Sequence, residues 1–344
     1  MIKIMWLFRT NLLPLEYYHQ YKDLKTFKEK CHDFYLLQGI WFLENTELET
    51  FIVWRLKPKN SNLHNNIIFD VNGKKFKQIF VESFDECIKW KIPDIAFFRG
   101  GFKEYDDLVL KYQRFFQHTL TLYLGASKRI LPQYGGIYKH ILIENEKDKY
   151  TNKSIPFYKT ANSNIFKNLN YSNRVIDILW ICNNTQHRMK GQKYFVEQLK
   201  NNNYLKKLRI GHIGNKPEYL QNMFDKYCIT NVKLYGYKTR QEINKLLNMS
   251  KIGLVTSDEG DGNPRVLTEI LQAGTLLLFR SKTNMLDYYK DVSFSFEDDE
   301  LKDKVKIILK KYEKYYKKLN NQLSEGFCSM DEICKKNITL WQKN

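Results

Sequence analysis

Apolar positions in this chain come in short runs separated by amphipathic stretches. Lys3–Phe8, Phe51–Arg55, Ile67–Val71, Asp94–Phe98, Thr119–Leu124 and Ile137–Glu144 read as buried or half-buried strands. Between them, Tyr17–Gln38 is rich in helix formers, Phe84–Trp90 has the length of a short helix, and Tyr105–Gln117 reads as a longer one. Asn72-Gly73 is a tight-turn signal. Residues 145–174 are polar, rich in Asn, Lys and Ser, and read as an interdomain linker. The alternation then resumes, with strands at Val175–Ile181, Leu208–Ile213, Val232–Tyr235, Ile252–Val255 and Thr275–Phe279. Helices fall at Gly191–Leu199, Arg240–Met249 and Val266–Ala273, and then at Leu301–Leu323 and Glu332–Trp341. Strands alternating with helices predict α/β domains built on parallel sheets with crossover connections. The expected division is 1–160 and 161–320, each a Rossmann-like domain, with a helical tail at 321–344 that packs back on the first.

A length of 344 residues suits two such domains. Lys and Arg exceed Asp and Glu by 56 − 38 = 18. That excess favours anionic partners: nucleotides, nucleic acid or an anionic membrane face. Frequent Lys, Asn and Ile are equally what an AT-rich genome produces without any partner. The six cysteines are scattered and form no CxxC pair, which fits free thiols in a reducing compartment. No His/Cys cluster has zinc spacing, and the adjacent pairs Asp106-Asp107 and Asp298-Asp299 read as solvated charges, so no metal is expected. The apolar run within Met1–Arg9 is too short for a signal peptide, and no run approaches ~18 apolar residues. The expected location is cytoplasmic, at most peripheral to the inner face of a membrane. The basic, aromatic segment Tyr312–Leu319 is the candidate for that contact.

The chemistry concentrates between the strand Ile252–Val255 and the helix that starts at Val266. There lie Asp261, Gly262, Asn263, Pro264, Arg265 and, eight positions after Asp261, Glu269. Ligands of open parallel sheets bind beyond the carboxyl ends of the strands. Pro264 suits a first helical turn, because its missing N–H would be unpaired there anyway. Gly262 lets the backbone approach a bulky anion, and a helix start offers free N–H groups to a phosphate. Arg265 can add a charge-assisted fork, and Glu269, one turn further on the same face, can accept from ribose hydroxyls. The bland alternative is an ordinary strand–loop–helix connection in which Arg265 and Glu269 form an i,i+4 ion pair.

The segment from Asp261 to Phe279, DGNPRVLTEILQAGTLLLF, resembles the C-terminal signature of GT-B glycosyltransferases, especially family 4. The family's acidic pair is spaced E-x7-E; here it corresponds to Asp261 and Glu269, with aspartate where glutamate is usual. A second match follows the strand ending at Ile181, where Lys190-Gly191 stands at the family's Lys-Gly. The family's earlier arginine is absent: Asn184 stands about where it would be, and Arg188 is the nearest substitute. Leu234-Tyr235-Gly236-Tyr237 is similar to the strand–glycine turn near the nucleotide base, where Tyr237 would stack.

The resemblance implies two Rossmann-like domains facing a central cleft and a retaining, metal-independent transfer from a nucleotide-sugar to a saccharide or lipid-linked glycan, in surface-glycan biosynthesis. Lys190, Arg265 and Asp261 would be catalytic. Glu269, Gly262, Asn263, Pro264, Arg188, Gly191, Gly236 and Tyr237 would hold the donor. Arg99-Gly100-Gly101 and Gly125-Ala126-Ser127 both follow strands, where such a domain places acceptor-side and donor-facing loops, and Arg99, Gly100 and Gly101 would be the acceptor-side residues. No cofactor beyond the donor is implied. Three alternatives remain: a phage-type glucosyltransferase acting on modified DNA, a non-catalytic nucleotide- or carbohydrate-binding protein of this fold, and a sugar-nucleotide enzyme of another reaction type.

Overall fold

Two sheets, one mostly and one wholly parallel, organise the chain. The computed structural model describes residues 2–9, 23–57, 66–124, 135–144, 153–182, 190–215, 217–257, 265–283 and 285–343. One unit comprises Met1–Ile143, Asp148–Phe157 and Cys334–Asn344; the other comprises Glu144–Lys147 and Tyr158–Ile333.

The first unit runs β1 (Ile4–Arg9), α1 (Leu24–Lys30), α2 (Phe34–Asn45), β2 (Thr50–Leu56), β3 (Ile67–Val71), β4 (Lys74–Val81), β5 (Ile95–Arg99), α3 (Lys103–Lys111), β6 (Leu120–Leu124), β7 (His140–Ile143) and β8 (Ser154–Pro156). Its strands lie in the order β3-β4-β2-β1-β5-β6-β7-β8. The β3–β4 hairpin is antiparallel, while β1 pairs in parallel with β2 and β5. Central strands are apolar almost throughout because helices cover both faces of such a sheet; in β1, Ile4 to Phe8 are all buried. The hairpin turns at Asn72 (φ 55) and Gly73 (φ 83), two consecutive positive φ values that a tight hairpin turn requires.

The second unit runs β9 (Ile176–Ile181), α4 (Gln192–Asn201), β10 (Ile210–Ile213), α5 (Pro217–Lys226), β11 (Val232–Leu234), α6 (Arg240–Asn248), β12 (Ser250–Val255), α7 (Val266–Gln272), β13 (Leu276–Arg280), β14 (Ser293–Phe296), α8 (Leu301–Lys310) and α9 (Tyr312–Ser324). The last helix, α10 (Met330–Lys343), begins in this unit and continues into the first. The six strands are all parallel, in the order β11-β10-β9-β12-β13-β14. Counted from β9 this is the doubly wound 3-2-1-4-5-6 order, which reverses between β9 and β12.

Several sequence expectations need correction. Residues 158–174 are not a linker. Ala161, Ile165 and Phe166 join the core of the second unit, and Thr160, Asn162 and Arg174 are buried with them. Their polarity serves irregular backbone: the Asn162 side chain accepts from the Asn164 N–H and that of Asn168 from the Asn170 N–H. Within 17–38 the described part splits into α1 and α2, because Asp33 caps the second helix by accepting from Tyr35 N–H. The helix expected over 105–117 ends at Lys111, and Phe115 and Phe116 turn in against Trp6. Lys311, with φ −113 and ψ 25, breaks the expected 301–323 helix in two and lets α9 bury Leu319. The strands β4, β8 and β14 and the helix α5 were not foreseen. Polar residues dilute the first, and the other strands are only three or four residues long.

From Cys334 onward the chain contributes to the first unit chiefly through Trp341. Its ring lies nearly parallel to Phe157 (centroids 6.2 Å, 9°) and edge-on to Phe42 and Phe97 at 5.9 and 6.0 Å. Trp341→Ala is expected to destabilise this unit by about 3–5 kcal/mol. Urea unfolding followed by near-UV circular dichroism measures it, and an unchanged midpoint would contradict the packing role.

Candidate functional site

The reversal between β9 and β12 leaves a crevice at the carboxyl edge of the second sheet, and the residues around it are held by short-range constraints. Gly191 caps α4 in the left-handed region (φ 67, ψ 23). A Cβ at this position would stand 1.9 Å from the Thr256 carbonyl oxygen, so only glycine allows the approach. Thr256 also ties the loops through its hydroxyl, which donates to the Lys190 carbonyl at 2.9 Å and accepts from Trp180 Nε1 at 3.0 Å. Lys190 is thereby fixed beside the end of β12.

Arg265 and Glu269 come from α7. This helix ends in Gly274 (φ 67), where Thr275 N–H donates to Ile270 and Gly274 N–H to Leu271, a Schellman closure. Leu267, Ile270 and Leu271 fix the buried face of α7. Glu269 is 2% exposed. Its Oε1 accepts from Arg240 Nη1 at 2.9 Å and lies 3.8 Å from Arg265 Nε. The i,i+4 pair considered in sequence therefore forms, but the shorter contact comes from Arg240. Both arginines offset the desolvation of a buried carboxylate.

Sequence reasoning missed Arg240. A capping box, Thr239 with Glu242, starts α6 directly after β11, and this S/T-x-x-E signal was the available clue that residue 240 lies at the carboxyl edge. Thr256 was missed as well; only a hydroxyl at the end of an apolar strand marked it.

Lys190, Arg240, Arg265 and Glu269 line one cavity of about 260 Å3, with Cys182, Ile213 and Ile243 among its apolar walls. Lys238 and Tyr237 line it too, and Tyr237 is 75% exposed. Four cationic side chains thus face one carboxylate among the described lining residues. Gly236 (φ 68) supports the neighbouring loop, its carbonyl accepting from Gly214 N–H at 3.2 Å. Burial pushes the Cys182 thiol well above its ordinary pKa, so it is protonated at neutral pH. Arg188, Asp261, Gly262, Asn263 and Pro264, like Gly125-Ala126-Ser127, lie outside the described residues.

Arg99, Gly100 and Gly101 belong to the first unit, at the carboxyl end of β5. Arg99 Nε donates to the Tyr35 hydroxyl at 2.7 Å, and the guanidinium groups of Arg99 and Arg9 each lie 5.2 Å from the centre of the Tyr35 ring. Arg9 also pairs with Asp33. Ending β1 next to β5, Arg9 is a second strand-end arginine that sequence reading overlooked. Among the described residues, no three His, Cys, Asp or Glu side chains gather as metal ligands. Nor is any described helix long and apolar enough to cross a membrane.

Residues 177–325 match the family Glycosyl transferases group 1. The whole chain is similar in structure to a glycosyltransferase from Rickettsia africae ESF-5, with TM-score 0.67, 13% identity, and 99% of this chain and 98% of that one covered. It is similar to sucrose-phosphate synthase from Thermosynechococcus elongatus, with TM-score 0.67, 8% identity and coverage of 99% and 98%. It is also similar to HepE of Anabaena in complex with UDP and glucose, with TM-score 0.62, 10% identity and coverage of 100% and 100%. No curated protein sequence matches the chain. At these identities the structural likeness establishes the fold, which is the two-domain GT-B arrangement of parallel sheets. The matched residues lie within the second unit, and the chain is a transferase enzyme.

Behind the cavity wall, His212 is fully buried on β10, with Nε2 3.2 Å from the Cys182 carbonyl oxygen. A carbonyl only accepts, so Nε2 carries the proton. Burial lowers the His212 pKa to about 4 from its ordinary value of 6.5. The unfolded chain then binds more protons than the folded one between those two values, and stability falls as pH drops through that window. The expected loss is about 3 kcal/mol from pH 7 to pH 4. His212→Asn should remove this component, which denaturant titrations at pH 7 and pH 4.5 measure. An equal slope in both proteins would contradict the assignment.

Proposed function

We propose that the chain transfers a sugar from a nucleotide-activated donor to a saccharide or lipid-linked glycan acceptor, with retention of configuration and without a metal ion. The observation that carries this reading is the convergence of Lys190, Arg240, Arg265 and Glu269 on one cavity at the strand-order reversal of a parallel sheet. The match of residues 177–325 to group 1 glycosyl transferases supports it, as does the binding of UDP and glucose by the structurally similar HepE.

In this reaction the bond from the anomeric carbon to the donor diphosphate breaks, and a bond to the acceptor hydroxyl oxygen forms on the same face. The acceptor's proton passes to the departing phosphate. Negative charge grows on the diphosphate, so fixed cations lower the barrier. Lys190 and Arg265 supply them, and Arg240 holds Glu269 in place. With Oε1 engaged by the arginines, Oε2 of Glu269 accepts from ribose hydroxyls. Tyr237, exposed at the cavity, stacks on the base. Asp261 takes sugar hydroxyls, and Gly262, Asn263, Pro264 and Arg188 complete the diphosphate cradle. The acceptor belongs to surface-glycan assembly on the cytoplasmic side, and the net charge of +18 favours an anionic setting for it.

A thermal-shift screen of UDP-, GDP-, ADP- and CMP-sugars, followed by mass spectrometry of the product, identifies the donor. With that donor, Lys190→Ala and Glu269→Gln are each expected to lower kcat/KM by about 100-fold or more while unfolding near the wild-type temperature. Full activity in either variant would sink the site.

A further inference from the structure

A second cavity opens at the opposite, amino-terminal edge of the same sheet. It measures about 540 Å3 and is walled by residues 170–174 ahead of β9, by Arg209 ahead of β10, by Lys251 in β12 and by α9. It shares no lining residue with the cavity at the carboxyl edge.

Its deepest charge is Arg174, 5% exposed. Arg174 Nη1 donates to the carbonyls of Ser250 and Leu247 at 2.8 and 3.2 Å and to Thr275 Oγ1 at 3.1 Å. Its guanidinium stacks 4.8 Å from the centre of the Tyr316 ring. These partners are neutral. Leu247 lies at the end of α6, whose negative dipole end offsets part of the charge, but no carboxylate pairs with Arg174 among the described residues. Two buried polar atoms of the lining residues have no partner among the described residues: Arg174 Nε and the Tyr312 hydroxyl. Arg174 is therefore a buried cation on the wall of an open groove, without a carboxylate to neutralise it among the described residues.

The surroundings add positive charge. Arg209 and Lys251 share a single carboxylate, Asp177 Oδ1, at 3.3 and 3.1 Å. Lys310, Lys311 and Lys314 extend the wall into an adjoining cavity of about 430 Å3, and Glu313 is the sole carboxylate lining either space among the described residues.

We infer that this groove is a second binding site, for a ligand that carries a phosphate group. A phosphate offers acceptor oxygens to the Arg209 guanidinium and the Lys251 ammonium on the groove wall, and its charge meets the local excess to which Arg174 adds. The phosphate arrives either on a free phosphorylated compound or on a lipid headgroup. The site acts at a distance from the reacting centre, and its existence does not depend on which donor the enzyme uses.

Pyrophosphate is the probe, titrated by calorimetry into the full chain carrying Lys190→Ala and Arg265→Ala so that the carboxyl-edge cavity does not contribute. Binding is expected to persist there and to weaken at least about tenfold when Arg209→Gln and Lys251→Gln are added. Absence of binding in the first protein, or unchanged affinity in the second, overturns the proposal. Arg209→Lys with Lys251→Arg guards against a folding artefact, because it keeps both charges beside Asp177. It should retain pyrophosphate binding within a few-fold of the parent protein. A loss equal to that of the glutamine variant also overturns the site. Co-sedimentation then separates the two sources. Retention on phosphatidylglycerol but not phosphatidylcholine vesicles, lost with Arg209→Gln and Lys251→Gln, assigns a lipid headgroup. Pyrophosphate binding without retention on vesicles assigns a soluble phosphorylated ligand.

Discussion

The Thr256 carbonyl occupies the space where a side chain on residue 191 would begin, and the architecture of the carboxyl edge depends on that approach. It brings the loop after β9 against the end of β12, the two strands between which the sheet reverses its order. The Thr256 hydroxyl, bridging Trp180 and the Lys190 carbonyl, makes the contact directional as well as close. Lys190 from one loop, Arg265 from the helix after β12 and Arg240 from α6 then share one cavity. These cations repel one another. Backbone packing holds them, and the buried Glu269 carboxylate offsets part of their repulsion.

The sheet treats its two edges with the same physics and different outcomes. At the carboxyl edge, buried charge is neutralised within the protein, Glu269 by Arg240 and Arg265, and the remaining cations face an open crevice. At the amino edge, Arg174 is buried against carbonyls and a tyrosine ring, with no carboxylate of its own among the described residues. Both edges are therefore electropositive, and both gain from an anion supplied from solvent. The excess of basic residues, which composition alone left balanced between partner selection and genome bias, is in part organised.

The alternation of strands and helices was legible because both sheets are buried on two faces, so that strands such as Ile176–Ile181 are continuous apolar runs. Elements whose burial is one-sided or brief escaped: β4 carries lysines and a glutamine among its apolar positions, and α5 has only Leu220 and Phe224 buried. The stretch 158–174 misled for a clearer reason. Several of its polar side chains, those of Thr160, Asn162 and Asn168, bond to irregular backbone, a role that composition does not distinguish from solvent exposure. Of the candidate site, Arg265 and Glu269 were readable from their place after an apolar strand and from the helical period, and Lys190 only from the family resemblance of Lys190-Gly191. Arg240 and Thr256 were not, because they meet the motif only through the strand order, which a linear sequence does not display.

The proposed role of the carboxyl-edge cavity of the second unit is to hold the diphosphate of a nucleotide-activated sugar. A crystal structure of the full chain with the nucleoside diphosphate of its donor tests it most directly. Diphosphate oxygens are expected within about 3 Å of Lys190 Nζ and the Arg265 guanidinium, with Glu269 on the ribose. A nucleotide bound elsewhere on the chain, with Lys190, Arg265 and Glu269 facing solvent, would contradict it.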